Sequence, residues 1–206
     1  MSRRDWLMNS ASSELVVVGI DLSGSSQRPT GVCVLHGLKA VTTLLFGDAE
    51  ILAKTCTAKP DLVLIDAPLS LPPGRETIHD RNGEHFRPCD RVLQNRGIRF
   101  FPATLGPMRM LTERGLQIKE QLDAFGMVSV ECYPGGALDV WGLPRQHHDL
   151  VGLRRGLTRM GVEDLRADAS AHELDATAAA LTGYEFFMGA AEMIGGEHGM
   201  LLPLTD

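Results

Sequence analysis

The chain has 206 residues, of which 44% are hydrophobic and 22% charged, and a formal net charge of −6. That length suits one domain whose core buries roughly 70% of the unfolded surface, and the mixture excludes wholesale disorder. The acidic balance argues against a protein that coats nucleic acid without specificity. The four cysteines (Cys33, Cys56, Cys89, Cys132) are scattered with no C-x-x-C pair, which argues against a cysteine-built zinc site and for a reducing, cytoplasmic setting.

Residues 1–14 carry Arg3 and Arg4 without an apolar core of signal-peptide length and read as a flexible tail before a single domain over 15–206. No apolar run approaches the ~20 residues of a membrane span. Leu15 to Leu22 is a β-branched run interrupted only by Gly19 and Asp21, the pattern of a strand covered on both faces. Residues 23–30 are turn material. Gly31–His36 and Leu38–Phe46, joined at His36-Gly37, complete an antiparallel meander. Asp48 opens a helix to about Ala58, and Leu62–Asp66 is a second apolar strand ending in a carboxylate.

A long insertion follows, about 68–125. Its first part is a proline-punctuated loop and a polar, glycine-bearing segment, expected to be mobile. Helices are expected over Pro88–Gln94 and Pro107–Phe125, the second weakened by Gly115. Met127–Tyr133 is the next strand. A short helix from Pro134 to about Gly142, a surface helix over Gln146–Met160 and a long alanine-rich helix over Ala171–Ile194 come next, with Gly199–Pro203 as a short final strand. Three early strands followed by strand–helix alternation predict an α/β fold with a mixed sheet between helices.

Four acids stand apart from the solvated ones. Asp21 and Asp66 end apolar strands, Glu131 lies near the end of another, and Asp175 sits near the start of the longest helix. Strand-end carboxylates converge at one sheet edge, where open α/β sheets place their sites. Such a cluster stays ionised only with compensation, which Mg²⁺ or Mn²⁺ supplies through hard oxygen ligands. Two ions ~3.5–4 Å apart suit in-line attack on a phosphodiester, one orienting water and the other neutralising the leaving oxygen. Each acid also has a structural reading: Asp21 and Asp66 as turn caps, Glu131 as an arginine partner, Asp175 as a helix N-terminal charge.

The segments Val18-Gly-Ile-Asp-Leu-Ser, Ile65-Asp-Ala-Pro-Leu, Arg87-Pro-Cys-Asp-Arg-Val-Leu, Val130-Glu-Cys-Tyr-Pro-Gly and Glu173-Leu-Asp-Ala-Thr-Ala-Ala-Ala-Leu-Thr resemble the family called domain of unknown function 429. That family is described as predicted nucleases of ribonuclease H-like fold. The resemblance runs from about Val16 to Pro203. It implies a five-stranded mixed sheet whose first three strands are antiparallel. It also implies that Asp21, Asp66, Glu131 and Asp175 match the metal-binding acids of ribonuclease H-like enzymes, with Asp21 as the shared ligand.

From Arg75 to Arg114 there are eight arginines and no lysine, against five acids, so this segment is basic in an acidic chain. Arginine forks match phosphate oxygens, and Phe100-Phe101 beside Arg99 could stack a base. Arg87, Asp90 and Arg91, from the family-like motif, are the candidate substrate contacts. Cys89 as a nucleophile, His147-His148 as a metal site and Gly19–Gly24 as a nucleotide loop are weaker readings. The function expected is a divalent-metal-dependent nuclease acting on DNA or RNA. The alternatives are a non-catalytic nucleic-acid or nucleotide-binding module of the same fold and a hydrolase of a small phosphorylated metabolite. No dimer face is legible, so oligomeric state stays open.

Overall fold

The computed structural model describes residues 15–205, and the expected tail at 1–14 lies outside them. The strands are β1 (Val16–Asp21), β2 (Thr30–His36), β3 (Lys39–Leu45), β4 (Leu62–Ile65), β5 (Ser129–Cys132), β6 (Ala191–Ile194) and β7 (Met200–Pro203). The helices are α1 (Asp48–Ala58), α2 (Pro88–Asn95), α3 (Gly106–Ala124), α4 (Pro134–Val140), α5 (Leu150–Arg159) and α6 (Ala171–Met188). All the strands form one sheet in the order β3-β2-β1-β4-β5-β7-β6. β1, β2 and β3 pair antiparallel, β4, β5 and β7 run parallel to β1, and β6 turns back against β7.

The five expected strands are therefore extended to seven. Of the two strands beyond five, β7 is the final strand read at Gly199–Pro203, and β6 is new. The long helix stops at Met188 rather than at Ile194, because Gly189 takes a left-handed conformation (φ 83°) that closes the helix. Ala191–Ile194 then forms β6, and Gly195 and Gly196, both at positive φ, turn the chain back into β7.

Alternation along the strands separates two cores. Val17, Leu62, Leu64, Cys132 and Leu201 face α6, where they pack with Leu174, Ala176 and Ala180. Val18, Ile20, Val63 and Ile65 face α1 and α3, meeting Ile51, Ile118 and Leu122. A third cluster joins α2 to the β6–β7 hairpin through Cys89, Leu93, Ile194 and Leu202. No described helix is long and apolar enough to cross a membrane.

Helix α6 lies unusually close to the sheet. A Cβ on Gly19 would fall 2.0 Å from the Ala176 carbonyl oxygen, and one on Gly31 would fall 2.0 Å from that of His172. The two glycines let the first turns of α6 rest directly on β1 and β2, beside Asp21. Gly115, a weak point by helix propensity, has a similar role in α3. A side chain there would meet Ala67 at 2.9 Å, so the glycine lets the helix press against the loop leaving β4.

The segment expected to be mobile, residues 74–84, is closed by its own bonds. Arg75 donates to the carbonyls of Glu84 and Asp80, and Asp80 accepts from the backbone of Glu76 and Thr77.

Candidate active site

The sheet register brings the acids to one end of three neighbouring strands. Asp21 is the last residue of β1. Ile20 pairs with Ile65 of β4, so Asp66 emerges beside Asp21, and its N–H donates to the Ile20 carbonyl at 2.8 Å. Asp21 shares the face of Val17 and Gly19, and Asp66 continues the Leu62–Leu64 face, so both look toward α6. There Ser170 caps the helix, its Oγ accepting from the Glu173 N–H, and Glu173 returns a bond to the Ser170 N–H. This capping box sets Asp175 one turn into α6. Glu173 is absorbed in that role and also accepts from the Thr42 hydroxyl at 2.9 Å.

The electrostatics follow from this proximity. Burial, then the Asp21, Asp175 and Glu131 carboxylates, push the Asp66 carboxyl well above the ordinary range. Burial and then Asp21 raise Asp175 to about 7, against a lowering pull from His172, Arg145 and Gln146. Asp175 Oδ1 is buried with no hydrogen-bond partner. Buried Cys132 is pushed up as well, by desolvation and then by the same acids, so its thiol stays protonated.

Glu131 is placed differently. Its partner across β4 is Ile65, which belongs to the α1/α3 face, so Glu131 points away from α6. Arg87 meets it with both ends of its fork, Nη1 to Oε2 at 2.6 Å and Nη2 to Oε1 at 2.8 Å, and the Leu69 N–H adds a third bond at 2.7 Å. Burial raises the Glu131 carboxyl, while Arg87 opposes that shift. Arg87 also bonds Asp90 through Nε and Nη2, and Asp90 caps α2 by accepting from the Arg87 N–H. All three side chains are buried. Arg91 lies elsewhere, on the exposed surface, paired with Glu84.

The remaining arginines of the basic segment are mostly committed. Arg75 closes its own loop, Arg96 pairs with Glu192, and Arg109 donates to the Thr104 carbonyl. Buried Arg114 ties Ser23, Phe46 and Asp48 together. Among the described residues, Arg81 and Arg99 are the members of the group whose guanidinium groups engage no partner.

One residue of the site was given no role by the sequence reading. His172, half-buried in the first turn of α6, donates Nδ1–H to Asp21 Oδ2 at 2.6 Å. That bond, despite the opposing effect of burial, raises the imidazole above its ordinary value. The available signal was spacing: His172 and Asp175 stand three apart, on one helix face.

A family model described as a protein of unknown function, DUF429, matches residues 19–198. The chain belongs to the DUF429 family. Two solved structures of Thermus thermophilus RuvC are similar. One covers 92% of this chain and 100% of its own at 15% identity with a TM-score of 0.50. The other, RuvC in complex with a Holliday junction substrate, covers 92% and 99% at 16% identity with a TM-score of 0.47. The likeness places this DUF429 chain in the ribonuclease H-like fold. A comparison with curated proteins found no match.

The donor set suits a hard divalent cation. Three carboxylates converge, one buried oxygen lacks a partner, and the mutual repulsion that raises Asp66 and Asp175 is what a cation would relieve. Among the described residues, no three acid, histidine or cysteine side chains already stand as a closed coordinating group. Mg²⁺ commonly binds through one or two carboxylates together with water and substrate phosphates, a mode these acids fit.

Proposed function

We propose that this DUF429 protein hydrolyses phosphodiester bonds of nucleic acid, with Asp21, Asp66 and Asp175 holding Mg²⁺ or Mn²⁺. The observation that carries the reading is their convergence from β1, the exit of β4 and the first turns of α6, with Asp175 Oδ1 unpartnered in the interior. Bound there, divalent ions would neutralise the charge that builds on the phosphoryl oxygens and activate the attacking water.

The chain's own residues prepare that site. Gly19 and Gly31 seat α6 so that Asp175 stands over the strand ends. His172 orients Asp21 through Nδ1. Arg87 neutralises Glu131 and so keeps a further negative charge from adding in full to the cluster. In this reading Glu131 and Asp90 act through Arg87 as positioning groups that fix α2 and the loop after β4.

The binding-module alternative rests on the basic segment, and it draws less support because most of those arginines are spent on internal partners. The test is cleavage of labelled single-stranded, duplex and branched DNA and RNA in Mg²⁺ or Mn²⁺. The wild type should cut at least one substrate, and Asp21→Asn should lose the activity by about a hundredfold or more. Cleavage that persists in a folded Asp21→Asn protein, or no cleavage of any substrate, would overturn the proposal.

A further inference from the structure

A cavity of about 160 Å³ opens beside the acids, and Asp66 belongs to both. Its walls are apolar: Leu93, Phe100, Phe101, Met108 and Leu111. Its polar end is formed by Asp66, Glu131, Asp90 and Arg87. Arg87, the lone cation there among the described residues, already spends its fork on Glu131 and Asp90. An anionic group therefore finds no free positive charge in this space, which argues against a phosphate as its occupant. The cavity is also smaller than the roughly 300–1,000 Å³ typical of drug-sized ligand sites. The geometry suits a single neutral ring system, with apolar faces toward the walls and N–H donors toward the carboxylates.

Phe101 stands out at the mouth. It is 72% exposed. Its neighbour Phe100 is instead braced edge-to-face by Phe86, with ring centroids 6.2 Å apart. Phe100, Phe101 and Tyr133 also line a second, wider cavity of about 640 Å³ together with Arg99, whose guanidinium is free among the described residues, and Arg145, which is paired with Asp139. The two cavities thus place an apolar-walled slot next to the acids and the free guanidinium of Arg99 beyond it. That is the alternation of apolar stacking surface and cation that a strand of bases and phosphates requires.

We propose that the cavity beside Asp66 is a nucleobase pocket with Phe101 as its stacking lid. The substrate is then a nucleic-acid strand with an unstacked base next to the cleaved phosphodiester: single-stranded, looped, or extruded from a duplex. This rests on reading the acids as the hydrolytic site, and it names the substrate class of that site.

The test measures fluorescence anisotropy of labelled single-stranded DNA and RNA pentamers in Ca²⁺, each intact or with an abasic residue at one position in turn. Removing the base at one position should weaken binding by about tenfold. Phe101→Ala should weaken binding of the intact pentamer by a similar factor and abolish the difference between intact and abasic strands. Phe101→Trp should retain both. Because Phe101 is exposed, these variants fold, and a circular dichroism melt verifies it. Equal affinity for intact and abasic pentamers, an undiminished difference in Phe101→Ala, or no binding of any pentamer would overturn the pocket. The two readings fail separately. Base-dependent binding by a wild type that cuts nothing upholds the pocket and removes the hydrolytic reading. Mn²⁺-dependent cleavage indifferent to every abasic position does the reverse.

Discussion

Replacing Asp175 by asparagine should stabilise the metal-free protein above neutral pH, although the residue is buried in the heart of the site. Burial and Asp21 raise its carboxyl to about 7, from an ordinary value of 3.8. The folded protein therefore holds a proton there that the unfolded chain has already released. Stability attached to this group is complete below about pH 4 and is lost as pH rises through about 7. At higher pH the ionised side chain costs on the order of 4 kcal/mol. Asparagine removes that charge and keeps the shape, but sets a buried N–H donor group where a carboxylate oxygen stood, and an unmatched donor costs about 1–3 kcal/mol. The net gain of ~1–3 kcal/mol corresponds to a melting temperature higher by roughly 3–10 °C for a chain of this size. Thermal melts of both proteins in EDTA, from about pH 5 to about pH 8.5, read it directly. The gap should shrink toward acid, where the wild-type carboxyl is protonated. Saturating Mn²⁺ should raise the melting temperature of the wild type more than that of the variant. A variant that melts at or below the wild type at alkaline pH, or a gap that does not vary with pH, would refute the claim that Asp175 carries an uncompensated charge.

Arg87→Leu should leave Glu131 and Asp90 buried without their counter-charge and lower stability by about 3–5 kcal/mol in urea unfolding; a loss below about 1 kcal/mol would show that the triad matters little. The His172 imidazole should titrate above its ordinary 6.5 by NMR, and in Asp21→Asn the midpoint should fall. Because its folded value is raised, the stability this contact supplies is present below about pH 6.5 and lost as pH climbs through the folded value. Gly19→Ala should lift α6 from β1, since its methyl would overlap the Ala176 carbonyl. A cost of at least about 1–3 kcal/mol is expected, with weakened Mn²⁺ binding, and a fully stable variant would contradict the close seating of α6.

Much of this architecture was legible in the residues. The apolar runs ending at Asp21 and Asp66 announce strands because β-branched residues covered on both faces leave few other readings, and their carboxylates mark the ends. The alanine-rich start of α6, with Asp175 inside it, was equally plain. The far end of that helix was not. Ala191-Glu-Met-Ile has nothing in its composition to forbid a helix, and the stop comes from Gly189 in a left-handed conformation and from pairing with β7, a contact distant in chain position. Glu131 illustrates a different gap. Its nearness to the other acids follows from the strand end, but the face it occupies depends on the register with Ile65, and its partner Arg87 lies 44 residues away. Charge counting over the basic segment likewise cannot tell a free guanidinium from one spent on Asp48 or Glu131. His172 was hidden for a simpler reason: a histidine near a helix start is ordinary until the sheet brings Asp21 against it.

The most direct measurement is calorimetric titration of Mn²⁺ into the wild type, Asp21→Asn, Asp66→Asn and Asp175→Asn, each shown to be folded, with a non-hydrolysable phosphorothioate oligonucleotide present to complete the coordination. The carboxylate site predicts saturable Mn²⁺ binding to the wild type, and a loss of about tenfold or more in affinity in each variant. Binding that survives all three substitutions unchanged, or no binding to the wild type, would contradict it.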